Sequence, residues 1–308
     1  MQHRVSGGGA WPRRAFLISA VGGVATLAFG CAPEVNGSRP RSVTSPTPPA
    51  SLSPETSADP LAEKPATTAP SPPAPPDLEA IIAAHEGQVP QHWGIDIPGV
   101  VRTGIEAGSA QPERVFLTLD ACGGPHGSGV DERLIAGLRE ASVPATLFLN
   151  LRWIEAHAGL AASLAADPLF ELANHGSDHL PLSVTGRSAY GISGTATVRE
   201  AAHEVWQNHV ALTELMGRVP RWFRPGTAHL DDVGLRIAEA MGERVLGFSV
   251  NGDAGATFPA ATVASEVGAA GPGAIIIAHM NQPGSGTADG VRAAVDVVRA
   301  RGLDFGLL

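Results

Sequence analysis

From Val115 to the C-terminus, short apolar runs alternate with longer amphipathic segments, and this alternation constrains the fold more than any other feature of the chain. The runs predict strands at 115–119, 145–149, 170–173, 222–223, 245–250, 274–278 and 305–308. The segments between them predict helices at 130–142, 153–166, 197–216, 231–241, 262–270 and 291–300. Continuously apolar strands are typical of a parallel sheet that helices cover on its outside. About seven such units favour a barrel, with an open sheet as the alternative.

The N-terminus predicts export from the cytoplasm. Arg13 and Arg14 precede an uncharged run that ends at Cys31, and this run is shorter than the roughly 20 residues of a membrane span. A twin arginine before such a run is typical of a twin-arginine export signal, which we assign to residues 1–31. Cys31 partly fits a lipoprotein cleavage site and is the only membrane contact we expect. The protein is then lipid-anchored on the outer face of the cell membrane, or cleaved and secreted.

A proline-rich segment separates this signal from the rest of the chain. Residues 32–76 hold 13 of the 26 prolines, interleaved with Ser, Thr and Ala, and such a composition predicts a semi-extended linker. We therefore place one folded domain at residues 77–308. The net charge of −9 argues against a nucleic-acid partner, because phosphate binding requires clustered Lys and Arg.

Polar side chains follow the predicted strands at the point where each strand ends. They are Asp120, His175, His179, Arg224, Asn251, Asp253, His279 and Asn281. In a parallel barrel the carboxyl ends of the strands meet on one face, so these groups are candidates for one site. His175 and His179 are four residues apart and could converge on one metal ion, although this spacing also occurs among ordinary loop histidines.

Four short motifs in this region resemble those of the polysaccharide deacetylases, which carry a NodB homology domain and form carbohydrate esterase family 4. The motifs are Thr118-Leu119-Asp120-Ala121, His175-Gly176-Ser177-Asp178-His179, Phe223-Arg224-Pro225-Gly226 and Ile277-Ala278-His279. The resemblance covers roughly residues 112–308 and implies an irregular (β/α)7 barrel. It also implies a divalent metal, with zinc as the first choice and cobalt or nickel as alternatives.

The resemblance implies a role for each motif residue. His175 and His179 match the metal ligands, and Asp120 matches the general base of amide hydrolysis. His279 matches the acid that protonates the departing amine, and Arg224 would orient Asp120 and keep it ionised. We take Asn251, Asp253 and Asn281 as candidate substrate contacts because they lie in the polar loops after the last strands.

One departure from the family pattern affects the metal site. The second Asp of the first motif, a metal ligand in the family, is Ala121 here, and a methyl group cannot bind a metal. Asp120 itself, the thiolate of Cys122 or Asp253 could replace it. We favour Asp120 as the ligand, with Asp120 or Asp253 as the base, and interpret Cys122 as an inert buried thiol. A domain that binds no metal is the fourth alternative.

The sequence therefore predicts an exported, metal-dependent hydrolase of a non-peptide C–N bond in a linear amide. N-deacetylation of a cell-wall or related polysaccharide is the first choice. One alternative is an amidohydrolase of N-acylated small molecules on the same fold. The other is a non-catalytic lipoprotein that binds glycans. Among the tryptophans, Trp153 is the candidate for stacking on a sugar ring, because it comes just after a predicted strand.

Overall fold

The computed structural model describes residues 76–111 and 113–308. The predicted export signal, Cys31 and nearly all of the predicted linker lie outside these residues, so those assignments and the boundary at residue 77 stay predictions. Within the described part of the chain, none of the helices is long and apolar enough to cross a membrane.

Eight helices and ten strands make up the described part of the chain. The helices are α1 (Leu78–His85), α2 (Glu132–Glu140), α3 (Leu151–Ala156), α4 (Ala158–Ala165), α5 (Val198–Met216), α6 (Asp232–Ala240), α7 (Ala260–Ala269) and α8 (Thr287–Ala300). The strands are β1 (Trp93–Gly94), β2 (Arg114–Ala121), β3 (Ala145–Leu149), β4 (Phe170–Asn174), β5 (Trp222–Phe223), β6 (Leu230–Asp231), β7 (Arg244–Val245), β8 (Val250–Asn251), β9 (Ile275–His279) and β10 (Asp304–Phe305).

Seven strands form one parallel sheet that curls into a half-barrel, in the order β7-β5-β4-β3-β2-β9-β8. β10 pairs in parallel with the first two residues of β2, whereas β1 and β6 form a separate antiparallel pair. The predicted (β/α)7 barrel is confirmed in this irregular form. The parallel direction brings the carboxyl ends of all seven strands to one edge, which is where the polar residues were expected.

The sheet and the helices on its outside bury one large apolar core. β2 is buried from Val115 to Ala121, and its side chains pack with those of β3 and β9 against α2, α7 and α8. Thr118 is a buried polar residue in the middle of β2, and its hydroxyl donates to the carbonyl of Ile276 at 2.7 Å. A buried hydroxyl needs such a partner because an unpaired one costs about 1–3 kcal/mol.

Two predicted elements were wrong in the same way, since each is divided into two. The helix predicted at 153–166 breaks at His157, whose backbone leaves the helical region at φ −133° and whose Nε2 bonds to the carbonyl of Ser128 at 2.7 Å. The strand predicted at 245–250 is divided into β7 and β8, which lie at opposite ends of the sheet. Five residue steps of extended chain span at most about 18 Å, so the sheet must curl for this segment to reach from one end to the other.

Candidate active site

A cleft of about 470 Å³ opens at the carboxyl edge of the sheet. The predicted site residues that line it are Asp120, His179, Asn251 and His279, and Cys122 lines it as well. His175 and Arg224 lie buried directly beneath these residues. The structure therefore brings the four family-like motifs together in one place, as the strand-end argument predicted.

His175 follows β4 directly, and its ring is held in one orientation. Its Nδ1 lies 2.8 Å from the carbonyl oxygen of Arg224, which can only accept, so Nδ1 carries a proton. When the ring is neutral, its lone pair lies on Nε2, the form in which imidazole binds a metal. Its ring meets that of His179 edge to face at 4.8 Å. A hydrogen bond from Nδ1 to a backbone carbonyl, as His175 makes to Arg224, is typical of histidines that bind a metal through Nε2.

His179 reaches the site through a tight loop rather than a helix. It has a left-handed backbone at φ 60°, and Gly176 in the same loop has φ 75°. Buried Glu204 of α5 holds the loop, because its Oε2 accepts from the amide of Asp178 at 2.9 Å and its Oε1 from that of Leu180 at 3.1 Å. A Cβ on Gly176 would lie 2.3 Å from Oε1 of Glu204, so only glycine fits there.

Burial raises the pKa of Glu204 to about 7, because desolvation outweighs the lowering by the two amide donors. The carboxyl is therefore only partly ionised at neutral pH. It still serves as a double acceptor for the loop that carries His179, since each of its oxygens receives one of the two amides.

Cys122 completes a group of three donors that could hold a metal ion. One ligand atom each from Cys122, His175 and His179 lies within 4.8 Å of the others, and Sγ is 3.9 Å from Nε2 of His175. Burial raises the pKa of the Cys122 thiol, but contacts with His175, His179 and His279 together lower it by more. The pKa therefore lies well below its usual value. One thiolate and two imidazoles fit zinc, cobalt or nickel. This position does not suit the inert thiol that the sequence favoured.

Asp120, the favoured replacement for the missing ligand, also lies at this cluster. Its Oδ2 is 3.6 Å from Nε2 of His175. Its Oδ1 accepts from Nη1 of Arg224 at 2.6 Å. The structure thus keeps both Asp120 and Cys122 as replacements for a ligand at Ala121. It excludes Asp253 as the replacement ligand, because the Asp253 carboxylate accepts hydrogen bonds from His279 and Thr287.

Arg224 is fully buried and holds Asp120 in the ionised state. It donates from Nη1 to Thr118 at 2.9 Å, and from Nε and Nη2 to the carbonyls of Leu246 and Gly247. Burial raises the pKa of Asp120, but the charges of Arg224, His175 and His279 lower it more, so the pKa lies below its usual value. The contact between Arg224 and Asp120 that the family resemblance implies is present.

His279 forms a buried pair with Asp253. Its Nδ1 donates to Oδ1 of Asp253 at 2.8 Å, and its backbone amide donates to Oδ2 at 2.7 Å. Burial lowers the pKa of His279, but Asp253 first, then Cys122 and Asp120, raise it well above its usual value. The prediction that Asp253 contacts substrate does not fit its full burial; Asp253 instead supports His279.

The two predicted asparagine contacts differ in exposure. Asn251 is exposed in the cleft, and its Oδ1 accepts from the amide of Ala254 at 2.9 Å. Asn281 is buried, and its Nδ2 donates to the carbonyl of Gly127 at 3.0 Å. Its Oδ1 has no hydrogen-bond partner among residues 76–111 and 113–308. Only Asn251 therefore has an open position for direct contact with a substrate in the cleft.

The exposed aromatic residue in the cleft is Tyr190, which the sequence analysis missed. Tyr190 is 81% exposed and is the only tyrosine of the chain. It lies at φ 51° in the turn that joins Ala189 to Ile192, and it meets the ring of His229 edge to face at 5.2 Å. Trp153, the candidate from the sequence, is fully buried and donates to the carbonyl of Gly129 at 3.0 Å.

Backbone strain is concentrated at this cleft. Of the seven described residues other than glycine with a positive φ, five line the cleft: His179, Tyr190, Thr227, Ala228 and Ala254. Each such position costs about 1–3 kcal/mol and persists only where the surrounding structure holds it. Strain of this kind is frequent at functional sites, and here it marks the same cleft as the polar residues.

Comparisons with known proteins support both the fold and the family. Residues 107–246 match the family model described as polysaccharide deacetylase. A family 4 carbohydrate esterase pseudoenzyme from Bacillus anthracis is 21% identical, with a TM-score of 0.53, over 64% of this chain and 64% of that chain. This chain therefore spans less than two thirds of that relative's length.

Two further solved structures are similar. A family 4 carbohydrate esterase from Streptomyces lividans is 22% identical over 64% of this chain and 94% of its own, with a TM-score of 0.52. The Bc1960 peptidoglycan N-acetylglucosamine deacetylase is 22% identical over 64% and 86%, with a TM-score of 0.53. No functionally curated protein sequence matches the chain. Residues 107–246 therefore match the polysaccharide deacetylase family, and the chain shares the fold of these solved structures.

Proposed function

We propose that this chain is a metal-dependent hydrolase that removes the acetyl group from the N-acetylated sugars of a cell-wall polysaccharide. One observation carries the proposal. A donor cluster suited to a divalent metal, an ionised Asp120 and a protonated His279 all lie at the same cleft. The exposed ring of Tyr190 supports a sugar substrate, because an aromatic face can pack against the apolar face of a pyranose.

Cys122, His175 and His179 would hold the metal, with Asp120 as the alternative to Cys122. A divalent ion at such a site supplies Lewis acidity toward a carbonyl oxygen and lowers the pKa of water. The donors fit this role because His175 presents the lone pair of Nε2, and the thiol of Cys122 has a pKa far below its usual value.

Two residues carry out the remaining steps, and they lie opposite each other on the paired strands β2 and β9. Asp120 is ionised and accepts the proton of the attacking water, while Arg224 fixes the orientation of its carboxylate. Because its pKa lies well above the usual value, His279 is protonated on both ring nitrogens, so Nε2 carries a proton while Nδ1 donates to Asp253. As the C–N bond breaks, Nε2 donates this proton to the departing amine nitrogen, and acetate is released. β2 and β9 pair Asp120 directly with His279, so base and acid lie side by side.

A non-catalytic glycan-binding protein is the second candidate, and two observations favour it. Ala121 replaces a family ligand, and one of the similar structures is a pseudoenzyme. Both candidates share the same sugar-binding cleft. They differ in whether a metal binds and whether acetate is released.

Metal content and turnover of the full chain test the proposal. We expect near-stoichiometric zinc, cobalt or nickel by plasma mass spectrometry, and acetate release from N-acetylglucosamine oligomers or peptidoglycan that a chelator abolishes. His175→Ala should lose both, and His92→Ala, which replaces an exposed histidine outside the cleft, should keep both. Glycan binding without metal or acetate release, unchanged by chelator, would favour the second candidate and refute the hydrolase.

Cobalt loading separates the two replacements for the missing ligand. Cobalt bound by the thiolate of Cys122 gives a sulfur-to-metal charge-transfer band in the near ultraviolet, which Cys122→Ser removes. Cobalt bound by Asp120 and the two histidines gives no such band, and Asp120→Asn then weakens metal binding instead.

A further inference from the structure

A second lobe of about 380 Å³ opens beside the cleft and shares Cys122, Gly255 and His279 with it. The glycine-rich loop 123–127 and three polar side chains form the rest of its lining: Arg152, Asn281 and Gln282. A molecule whose reacting group lies between Asp120 and His279 therefore has a place for a substituent in this lobe.

Arg152 brings a positive charge into this lobe without a carboxylate partner. Its Nη2 donates to the carbonyl of Asp178 at 2.7 Å and its Nε to Oδ1 of Asn150 at 3.3 Å, and both acceptors are neutral. Within the described part of the chain, no carboxylate lies at ion-pair distance from it. The charge of Arg152 lowers the pKa of Glu204, but this pKa is still about 7. Glu204 is therefore only partly ionised at neutral pH.

The position of Arg152 depends on two glycines in the facing loop. Gly123 and Gly124 have φ values of 69° and 76°, which favour glycine. A Cβ on Gly124 would lie 3.1 Å from Nη1 of Arg152. No residue in the described ranges accepts a hydrogen bond from Nη1. The lobe thus holds a guanidinium that is fixed by two of its nitrogens and has a third free to donate.

We propose that Arg152 binds a carboxylate group on the glycan, so that the substrate class is an acidic, carboxylate-bearing N-acetylated sugar. The inference rests on the proposed function for the reacting acetamide group. A guanidinium donates to carboxylates with favourable geometry, and such charge-assisted hydrogen bonds are the stronger ones. A single arginine balances one negative charge, which matches a carboxylate and not the two charges of a phosphate monoester.

Calorimetric titration of the full chain with a matched pair of ligands tests this binding site. The ligands are a disaccharide of N-acetylglucosamine and N-acetylmuramic acid, which carries a carboxylate, and the neutral methyl ester of the same disaccharide. We expect the wild type to bind the acid about tenfold more tightly than the ester. Arg152→Gln should bind both ligands equally, and Arg152→Lys should keep part of the preference because it keeps the charge.

Arg133→Gln is the control, since Arg133 is an exposed arginine paired with Asp289 outside the cleft, and it should behave as the wild type. Circular dichroism verifies that each variant is folded. Equal binding of acid and ester by the wild type, a preference that survives in Arg152→Gln, or no binding at millimolar ligand would each overturn the carboxylate site. Acetate release from neutral N-acetylglucosamine oligomers is scored separately, so the proposed hydrolase can fail or stand independently of this result.

Discussion

Two buried carboxylate–histidine pairs in the described part of this domain are each joined by a hydrogen bond, and their carboxylates ionise in opposite ways. Asp253 pairs with His279 at 2.8 Å at the cleft, and Glu243 pairs with His209 at 2.6 Å behind β4. All four side chains are largely or fully buried. Nevertheless the pKa of Asp253 is lowered, whereas that of Glu243 is raised to about 7.

The number of donors explains the difference. In each case burial is the largest effect and raises the pKa of the acid. Asp253 accepts from the backbone amide and Nδ1 of His279 and from the hydroxyl of Thr287, so both of its oxygens are occupied. Glu243 receives His209 and Asn174 on Oε1 alone, and its Oε2 has no partner among the residues that the structure describes.

The two pairs therefore serve different purposes. An ionised Asp253 favours the protonated form of His279, which its proposed role as general acid requires. Glu243 instead holds Asn174, the last residue of β4, directly before His175. The Oδ1 of Asn174 in turn accepts from the amide of Gly176 in the histidine loop. Both carboxylates are buried, so the hydrogen bonds that their oxygens accept, and not burial, decide whether the carboxylate is ionised and its histidine can donate a proton.

The largest expected effect separates the two histidines. His279→Gln should lower kcat for acetate release by about 10²–10⁴-fold, because an amide cannot donate the proton that the amine requires. Its metal content should stay unchanged, since His279 lies outside the three-donor cluster. His209→Gln is the matched variant and should change kcat only a few-fold. Similar losses from both variants would remove the distinction.

The next effect concerns the pH dependence that Asp253 imposes. His279 acts as the protonated form, so activity is lost as pH rises through its raised pKa. In Asp253→Asn this pKa falls, and the basic limb of the kcat profile should move to lower pH. At a pH above both values the loss is about tenfold for each pKa unit. A basic limb that does not move would show that another group supplies the proton.

A smaller effect, on stability alone, is expected at Glu243. The unfolded carboxyl has a pKa near 4.5 and the folded one about 7, so between these values only the folded state keeps the proton. Stability should therefore fall as pH rises from 4.5 to 7, by about 3 kcal/mol at most. Glu243→Gln should lack this contribution. Urea unfolding at pH 5 and pH 7 tests it, and equal pH dependence in both proteins would contradict it.

The smallest effect is expected at Thr287, the third donor to Asp253. Thr287→Val keeps the side-chain shape and removes one hydrogen bond of 2.9 Å, worth about 1 kcal/mol. The pKa of Asp253 should rise slightly, and the basic limb should move in the same direction as in Asp253→Asn but by less. A shift as large as that of Asp253→Asn would mean that Thr287, rather than the carboxylate charge, controls His279.

The sequence predicted the part of the site that depends on strand ends. Asp120, His175 and His279 each follow a buried apolar run, and parallel strands bring such positions together regardless of the loops between them. The single strand at 245–250 was predicted wrongly because the apolar residues of this segment are typical of one continuous strand. The carbonyls of Leu246 and Gly247 instead accept from Arg224, a contact with no local signal.

The missed residues differ in whether a signal existed. Arg152 comes three residues after the end of β3, so the strand-end argument that selected the other candidates also applies to it. Its role nevertheless depends on the distant backbones of Gly124 and Asp178. Tyr190 lies in a loop that follows no strand directly, and its neighbours in the cleft come from other parts of the chain. Cys122 was noticed, but only its distances to His175 and His179 show that it is close enough to be a ligand.

The position of β2 in the sheet has a consequence for how the protein is made. β2 pairs with β3 soon after it in the chain, but its other neighbour is β9, where Phe116 pairs with Ile275 and Asp120 with His279. During synthesis one edge of β2 stays unpaired until β9 has left the ribosome, and unpaired strand edges are prone to aggregation. The strand that closes this edge also delivers His279. A nascent or truncated chain without β9 lacks His279, so the proposed hydrolysis requires the completed sheet.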